Sequence, residues 1–420
     1  MKNANIIEII THALSLIDDR LIDHGKNVAL TTYSAMRRMG TYSEREINDM
    51  FLLAVLHDIG SFKNEDTDRI SKFDSGNVWP HSILGYLFVR DFTPLTYLAP
   101  VLLCHHATEA QMAGVPEYFR GLSRFLRAAD RLEIATRFGG LTDADTKTYL
   151  RNQGVFPSSV DAYELFFGRE PKLPDRDALW ASICDAQMRR ADIEKFLEMV
   201  ILSIDFRSRA TVSHTVSTAQ ISRLLAEVMG FPAEDVTAIG NAALLHDIGK
   251  TGIPTEILES PGKLVGRDLE IMRSHVLLTE QILTGRVSDT VMRIAARHHE
   301  KLDGSGYHRG LCAASLTMNE RLVAVTDILS ACAGARSYKD VFPKERVVSI
   351  LTEMSGGGLL DPVIVSAAVE HYDHLIDGTA DATLAVTRSY DALQDEYRNI
   401  RHDVAEMERT GDFALGVFFK

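Results

Sequence analysis

The stretch His298-His299-Glu300-Lys301-Leu302-Asp303-Gly304-Ser305-Gly306-Tyr307 decides the reading of this chain. Two adjacent imidazoles precede an acidic residue and a Gly-rich turn. Upstream lies His246-Asp247-Ile248-Gly249-Lys250, directly after the apolar run Ala242-Ala243-Leu244-Leu245. A His-Asp pair at a helix end points an imidazole and a carboxylate the same way. That carboxylate can bridge two metals, as a binuclear hydrolytic centre requires. In this order the two pieces indicate metal-dependent phosphoryl hydrolysis.

A chain of 420 residues predicts two or three domains, each able to bury a core. The formal charge of −13 argues against a nucleic-acid polymer or an anionic membrane as partner. A phosphorylated small substrate stays compatible, because bound metals and a few local cations invert the field at one site. Cys104, Cys184, Cys312 and Cys332 are scattered without a CxxC pair and read as reduced thiols of a cytoplasmic protein. The segment from Met1 to Leu21 carries Glu8, Asp18 and Asp19 within an apolar pattern, which predicts an amphipathic helix rather than a secretion signal. No stretch has the apolar length of a bilayer span.

Helical periodicity dominates. Ile6, Ile9, Ile10, Ala13, Leu14 and Ile17 recur at three- and four-residue steps and define one apolar face. Met50 to Leu56 runs into His57-Asp58-Ile59-Gly60, and Gly60 and Gly249 each sit where a helix would stop. Leu269 to Leu283 and Val291 to His299 read as further helices. Strand signals are weak, so the fold class expected is all-α.

The polar residues repeat. His24, His57-Asp58, His81, His105-His106 and Asp130 form one series; His214, His246-Asp247, His275, His298-His299 and Asp327 form a second. His24 precedes His57 by 33 positions and His214 precedes His246 by 32, so the repeating unit is a whole domain. Between the copies, Gly154 to Asp177 reads as an elaborated loop. Helical patterns resume from Ala178 through Trp180, Ile183 and Met188, and again over Ile193 to Ile204. This predicts two tandem domains, 1–195 and 196–420. A helix through His371 and an amphipathic segment from Tyr390 to Met407 end the chain, the latter suited to capping the domain or to homodimerisation.

Five histidines and two aspartates in the second copy suit Fe, Mn, Zn or Ni more than Ca or Mg. The set exceeds one tetrahedral site and fits two divalent metals sharing Asp247. His214, His246, Asp247 and Asp327 are expected to hold one; Asp247, His275, His298 and His299 the other. A hydroxide between them would attack phosphorus in line, and Lys250, one turn from His246, would reach the same phosphate.

Residues from about 197 to 380 resemble an HD-GYP domain, the branch of the HD phosphohydrolase superfamily that hydrolyses cyclic dinucleotides. The motifs that carry the resemblance are His246 to Lys250, Ile253-Pro254, Ile257-Leu258, His275, His298 to Tyr307, Ala324-Val325-Thr326-Asp327 and Arg336-Ser337-Tyr338-Lys339. It implies two tandem HD-type helical domains, with Fe or Mn foremost as cofactor. It also implies a cyclic dinucleotide as substrate, 3′,3′-cGAMP or c-di-GMP, opened to a linear 5′-phosphorylated dinucleotide. Asp247 and Lys250 would be catalytic. Lys250, Gly306, Tyr307, Arg336 and Lys339 would bind substrate. Three departures stand out. His308 replaces a Pro. Ala210 replaces the Glu of three-metal members, which favours two metals. Ser330 replaces an Asp often found one turn after the last ligand, which bears on substrate contacts.

The first copy keeps the ligand order but not its surroundings. Ser61 stands where Lys250 does, and His105-His106 are followed by Ala107-Thr108-Glu109-Ala110 rather than a Gly-rich turn. It resembles an HD domain that kept a second metal site and lost the dinucleotide contacts. Three readings stay open for it: hydrolase for another nucleotide, sensor, or structural remnant, with an auxiliary role preferred. For the whole chain the rivals are a non-hydrolytic cyclic-dinucleotide receptor and an HD-type 5′-nucleotidase.

Overall fold

Caps written in the sequence start several helices. Ser43 accepts from the Glu46 N–H while the Glu46 carboxylate accepts from the Ser43 N–H at 2.8 Å; Thr317 and Glu320 form the same reciprocal pair. Asp361 accepts from the N–H groups of Val363 and Ile364, with Pro362 at the first helical position. Gly40, at φ 69°, closes the helix that ends at Met39, a conformation costly for a residue with a Cβ.

The computed structural model describes residues 3–16, 23–62, 78–139, 209–258, 262–334 and 342–419, with residue 260 and scattered residues between 145 and 202. Contacts divide the chain into two units, Val200–Ala392 and Lys2–Met199 with Leu393–Lys420. No β-strand occurs among the described residues; one isolated bridge joins Asp303 and Cys312. The fold is all-helical, as expected.

The first unit contains α1 (Asn3–Ser15), α2 (His24–Met39), α3 (Glu44–Val55), α4 (Trp79–Phe92), α5 (Ala99–Cys104) and α6 (Glu117–Gly139). Phe51, Phe88, Phe125, Met36 and Met50 are fully buried and anchor its core. Each such side chain contributes roughly 1.5–3 kcal/mol. The second unit contains α7 (Arg209–Val228), α8 (Ala233–Leu245), α9 (Thr255–Leu258), α10 (Gly266–Arg273), α11 (His275–Leu283), α12 (Asp289–Ala296), α13 (Met318–Ala333), α14 (Lys344–Gly356) and α15 (Pro362–Glu370). Ile239, Leu245, Ile282, Ile294 and Leu329 are buried there. The last long helix, α16 (Tyr372–Thr410), clusters with the second unit up to Ala392 and with the first from Leu393.

Four sequence expectations change. The second domain, expected to run from 196 to 420, ends at Ala392. The rest joins the first unit, where Trp79 Nε1 donates to Glu408 at 2.8 Å, Trp79 stacks on Phe413, and Arg90 pairs with Glu396. The helix expected over Leu269–Leu283 is broken at Ser274, whose hydroxyl donates to the Ile271 carbonyl at 2.6 Å. The helix expected to reach His299 stops at Ala296, leaving both histidines in the turn that follows. Finally, α3 and α8 stop before their His-Asp pairs, so Gly60 and Gly249 do not end helices but lie in 3-10 turns (Ile59–Phe62 and Ile248–Gly252). The expected loop at 154–177 and the helices around 183–204 lie almost wholly outside the described residues.

Those two glycines show the repeat in three dimensions. A Cβ on Gly249 would lie 2.0 Å from the His275 carbonyl oxygen, and one on Gly60 would lie 2.0 Å from that of His81. Only glycine lets the next ligand helix approach this closely. In the second unit Thr279 locks the approach, accepting from the Gly249 N–H and donating to the His246 carbonyl, both at 3.0 Å.

Candidate metal centre

The second unit gathers its ligand-type side chains from different elements. His214 comes from α7, His246 from the end of α8, Asp247 from the turn after it, His275 from the start of α11, His298 and His299 from the turn after α12, and Asp327 from α13. His246, His275 and His298 each direct Nδ1 to the carbonyl three residues earlier, of Ala243, Met272 and Ala295, at 2.6, 2.6 and 2.7 Å. An imidazole at the end of a helix satisfies one of the carbonyls left over there. The bond places the proton on Nδ1 and turns a bare Nε2 inward, the tautomer a metal takes.

Around Asp247 the Nε2 atoms of His246, His275 and His298 lie at 3.1, 3.4 and 3.9 Å. Asp327 Oδ1 lies 3.1 Å from His214 Nε2 and 3.8 Å from His246 Nε2, and its Oδ2 lies 3.7 Å from His299 Nδ1. Two groups form, His214–His246–Asp247 and His275–His298–His299, each with donor atoms within 4.8 Å of one another. Among the described residues, the Nε2 of His246 and Oδ1 of Asp247 are buried with no hydrogen-bond partner. Orphaned polar atoms of this kind are costly unless something binds them, and convergent imidazole and carboxylate donors suit a divalent metal.

The electrostatics agree. Burial opposes the Asp247 carboxylate, yet His246 and Lys250 hold it well below the usual carboxylate range. Burial also opposes charge on His246, but Asp247 and Asp327 carry it up to about 9, so the field there favours a cation. Burial and the His275 imidazole keep His299 neutral, down to about 3, against the pull of Asp327. Neutral His299 and ionised Asp247 are in the states a metal needs, and a cation bound beside Asp247 would take the place of the proton on His246.

Lys250 places Nζ 2.5 Å from Asp247 Oδ2. Gly306 sits where a Cβ would come within 2.5 Å of Glu300 Cα, so the loop folds tightly on the turn after the histidines. Tyr307 lies against the His299 ring, centroids 4.8 Å apart. Arg336 and Lys339 lie outside the described residues.

Three roles escaped the sequence reading. Ser330 is buried, with its hydroxyl 3.0 Å from His214 Nδ1 and 2.6 Å from Thr218 Oγ1, so it supports the His214 ring. Glu300 accepts from the backbone N–H groups of Arg309 and Leu311 at 2.7 and 2.8 Å and so fixes the Gly-rich loop. Arg273, exposed, carries its guanidinium 4.9 Å from the Tyr307 ring centroid. Glu300 lies within the His298–Tyr307 motif and Ser330 is a departure from the family pattern, but only packing shows what they bond; Arg273 carries no sequence signal beyond its place two residues before His275.

The first unit brings the corresponding residues together. His24 Nε2 lies 3.3 Å from Asp130 Oδ1 and 3.6 Å from Asp58 Oδ2, and His57 Nε2 lies 3.3 Å from Asp58 Oδ2. His57 and His105 bond the Ala54 and Leu102 carbonyls through Nδ1. Two groups recur here as well, His24–His57–Asp130 and His81–His105–His106.

The family model of the HD domain matches residues 198–364. This segment is similar to HD domains, and its Gly306-Tyr307 loop resembles that of the HD-GYP branch. Among curated relatives, the 3′3′-cGAMP-specific phosphodiesterase 1 of Vibrio cholerae is 26% identical over 84% of this chain and 88% of its own length. The cyclic di-GMP phosphodiesterase of Thermotoga maritima is 36% identical over 43% of this chain and 50% of its own. The cyclic di-GMP phosphodiesterase response regulator RpfG of Xanthomonas campestris is 33% identical over 45% and 50%. The chain thus spans most of the first relative and about half of the other two. A crystal structure of a cyclic GMP-AMP phosphodiesterase of V. cholerae, V-cGAP3, aligns over 89% of this chain and 98% of its own with a TM-score of 0.56 at 19% identity, a likeness of fold. No described helix is long and apolar enough to cross a membrane.

Proposed function

We propose that the second unit is a metal-dependent phosphodiesterase that opens 3′-5′ cyclic dinucleotides to linear 5′-phosphorylated dinucleotides. 3′,3′-cGAMP comes before c-di-GMP, because the relative matched along most of its length is named for cGAMP. The observation that carries the reading is Asp247, whose two oxygens face different imidazoles. Oδ2 faces His246, and Oδ1 faces His275 and His298. A carboxylate so placed suits a bridge between two divalent metals, Fe or Mn by donor type. His214, His246, Asp247 and Asp327 would hold one, and Asp247, His275, His298 and His299 the other. Bound there, the metals supply a water of lowered pKa and neutralise phosphoryl charge.

The chain's own groups do the rest. Lys250 holds its ammonium at the rim of the centre, partly exposed, where a phosphoryl oxygen gathers negative charge. Tyr307, braced between His299 and Arg273, offers an aromatic face against which a base stacks. Arg273 adds a second cation for a phosphate. Glu300 keeps the loop closed over these groups.

A product assay tests the reading. Full-length protein loaded with Mn is incubated with 3′,3′-cGAMP and c-di-GMP, and products are separated over time. A linear dinucleotide from the wild type, and none from Asp247→Ala, is expected. Tight binding without product would instead make the chain a receptor. Turnover of 5′-nucleotides alone would make it a nucleotidase.

A further inference from the structure

We infer that the first unit holds a binuclear divalent-metal centre of its own, built to retain its metals more firmly than the second unit's centre. It lies outside residues 198–364, the segment matched by the family model. The inference does not rest on the activity proposed for the second unit.

Buried donor atoms carry the first half. Among the described residues, His57 Nε2 and His105 Nε2 are buried with no hydrogen-bond partner, while their Nδ1 atoms are committed to backbone carbonyls. His57 is 1% exposed and His105 0%, so neither reaches solvent. His57 Nε2 faces Asp58 and Asp130, and His105 offers a ring nitrogen to a group with His81 and His106 whose donor atoms lie within 4.8 Å of one another. A structural remnant would be expected to fill these positions with apolar groups rather than keep orphaned imidazoles.

Two differences between the copies carry the second half. The position three residues after the last aspartate is Glu133 in the first unit and Ser330 in the second. Glu133 Oε2 lies 2.6 Å from His24 Nδ1, and Asn27 Nδ2 donates to its other oxygen at 3.2 Å. A carboxylate behind a ligating imidazole fixes its ring and raises its basicity, an effect worth about 10–100-fold in metal affinity. The hydroxyl of Ser330, 3.0 Å from His214 Nδ1, does this less strongly. Conversely, Lys250 sets an ammonium 2.5 Å from the bridging carboxylate of the second unit, while its counterpart Ser61 is buried and uncharged. The first centre thus gains a carboxylate, and at the position of Lys250 it carries a neutral hydroxyl in place of a cation that competes with metal for the bridge. The balance favours holding metal over handling a phosphate.

The test reads metal, not activity. Full-length protein loaded with Mn²⁺ is dialysed against a weak chelator, and bound Mn is measured by mass spectrometry. The wild type is expected to begin with about four equivalents per chain, two for each centre. The Asp247→Ala/His298→Ala chain should keep about two and lose them about tenfold more slowly than the Asp58→Ala/His105→Ala chain. Glu133→Gln, added to the former, should abolish that advantage. If the Asp247→Ala/His298→Ala chain folds yet binds no Mn, the first unit holds no centre. Equal loss rates in the two double variants overturn the retention claim. Should either double variant fail to fold, the wild-type stoichiometry decides the site, about four for it and about two against it, and Glu133→Gln alone decides retention through the rate of its slowest metal loss.

Discussion

The Lys250 ammonium lies 2.5 Å from Oδ2 of Asp247, three residues earlier, and the same oxygen faces His246 Nε2 at 3.1 Å. The carboxylate proposed as a bridge and the cation proposed for phosphate are therefore one unit on a single turn. In that reading the Lys stays charged beside a carboxylate and within reach of the substrate.

Lys250→Gln removes the cation and keeps a polar side chain of similar reach. The kcat for cyclic-dinucleotide opening should fall about 10²–10³-fold, the scale of one lost transition-state contact. Metal content should hold or rise, since the ammonium no longer competes for Asp247. Unchanged kcat with metal bound would remove Lys250 from the mechanism.

Ser330→Ala deprives His214 Nδ1 of its hydroxyl at 3.0 Å. Mn affinity of the second centre should weaken about tenfold, with turnover recovering at higher Mn. A rise in KM for the dinucleotide, with Mn affinity intact, would instead return Ser330 to the substrate side.

Gly249→Ala would force a Cβ to within 2.0 Å of the His275 carbonyl oxygen and 2.6 Å of the Thr279 N–H. Backbone on both sides leaves nothing flexible to yield. We expect a loss of about 2–4 kcal/mol in the stability of the second unit, seen in chemical denaturation. A melting transition like that of the wild type would show that α11 shifts freely.

Trp79 is 4% exposed, donates to Glu408 and stacks on Phe413, tying the end of α16 to the first unit. Trp79→Ala should cost about 3–5 kcal/mol, and removal of residues 393–420 should destabilise the first unit at least as much. Should the truncated chain melt like the intact one, the tail is not part of that unit.

The sequence by itself determined the helical class, because apolar residues recur at three- and four-residue steps over Ile6 to Ile17, further helical runs follow at 269–283 and 291–299, and strand signals are weak. It determined the order of candidate ligand residues in both copies, because imidazoles and carboxylates recur there at domain-length spacing. It also showed that the first copy lacks a Lys at Ser61 and a Gly-rich turn after His106. The roles of Glu133 and Ser330 were not legible, since hydrogen bonds to His24 and His214 arise only when α2 packs on α6 and α7 on α13. Nor was the place of residues 393–420, because an amphipathic stripe states that a face must be covered and not by what. Only tertiary packing decided that the stripe of α16 ends against Trp79 and Arg90, and that Gly249 serves a close approach rather than a helix end. Local pattern fixes which atoms need partners; long-range packing chooses the partners, because those contacts join residues far apart in the chain.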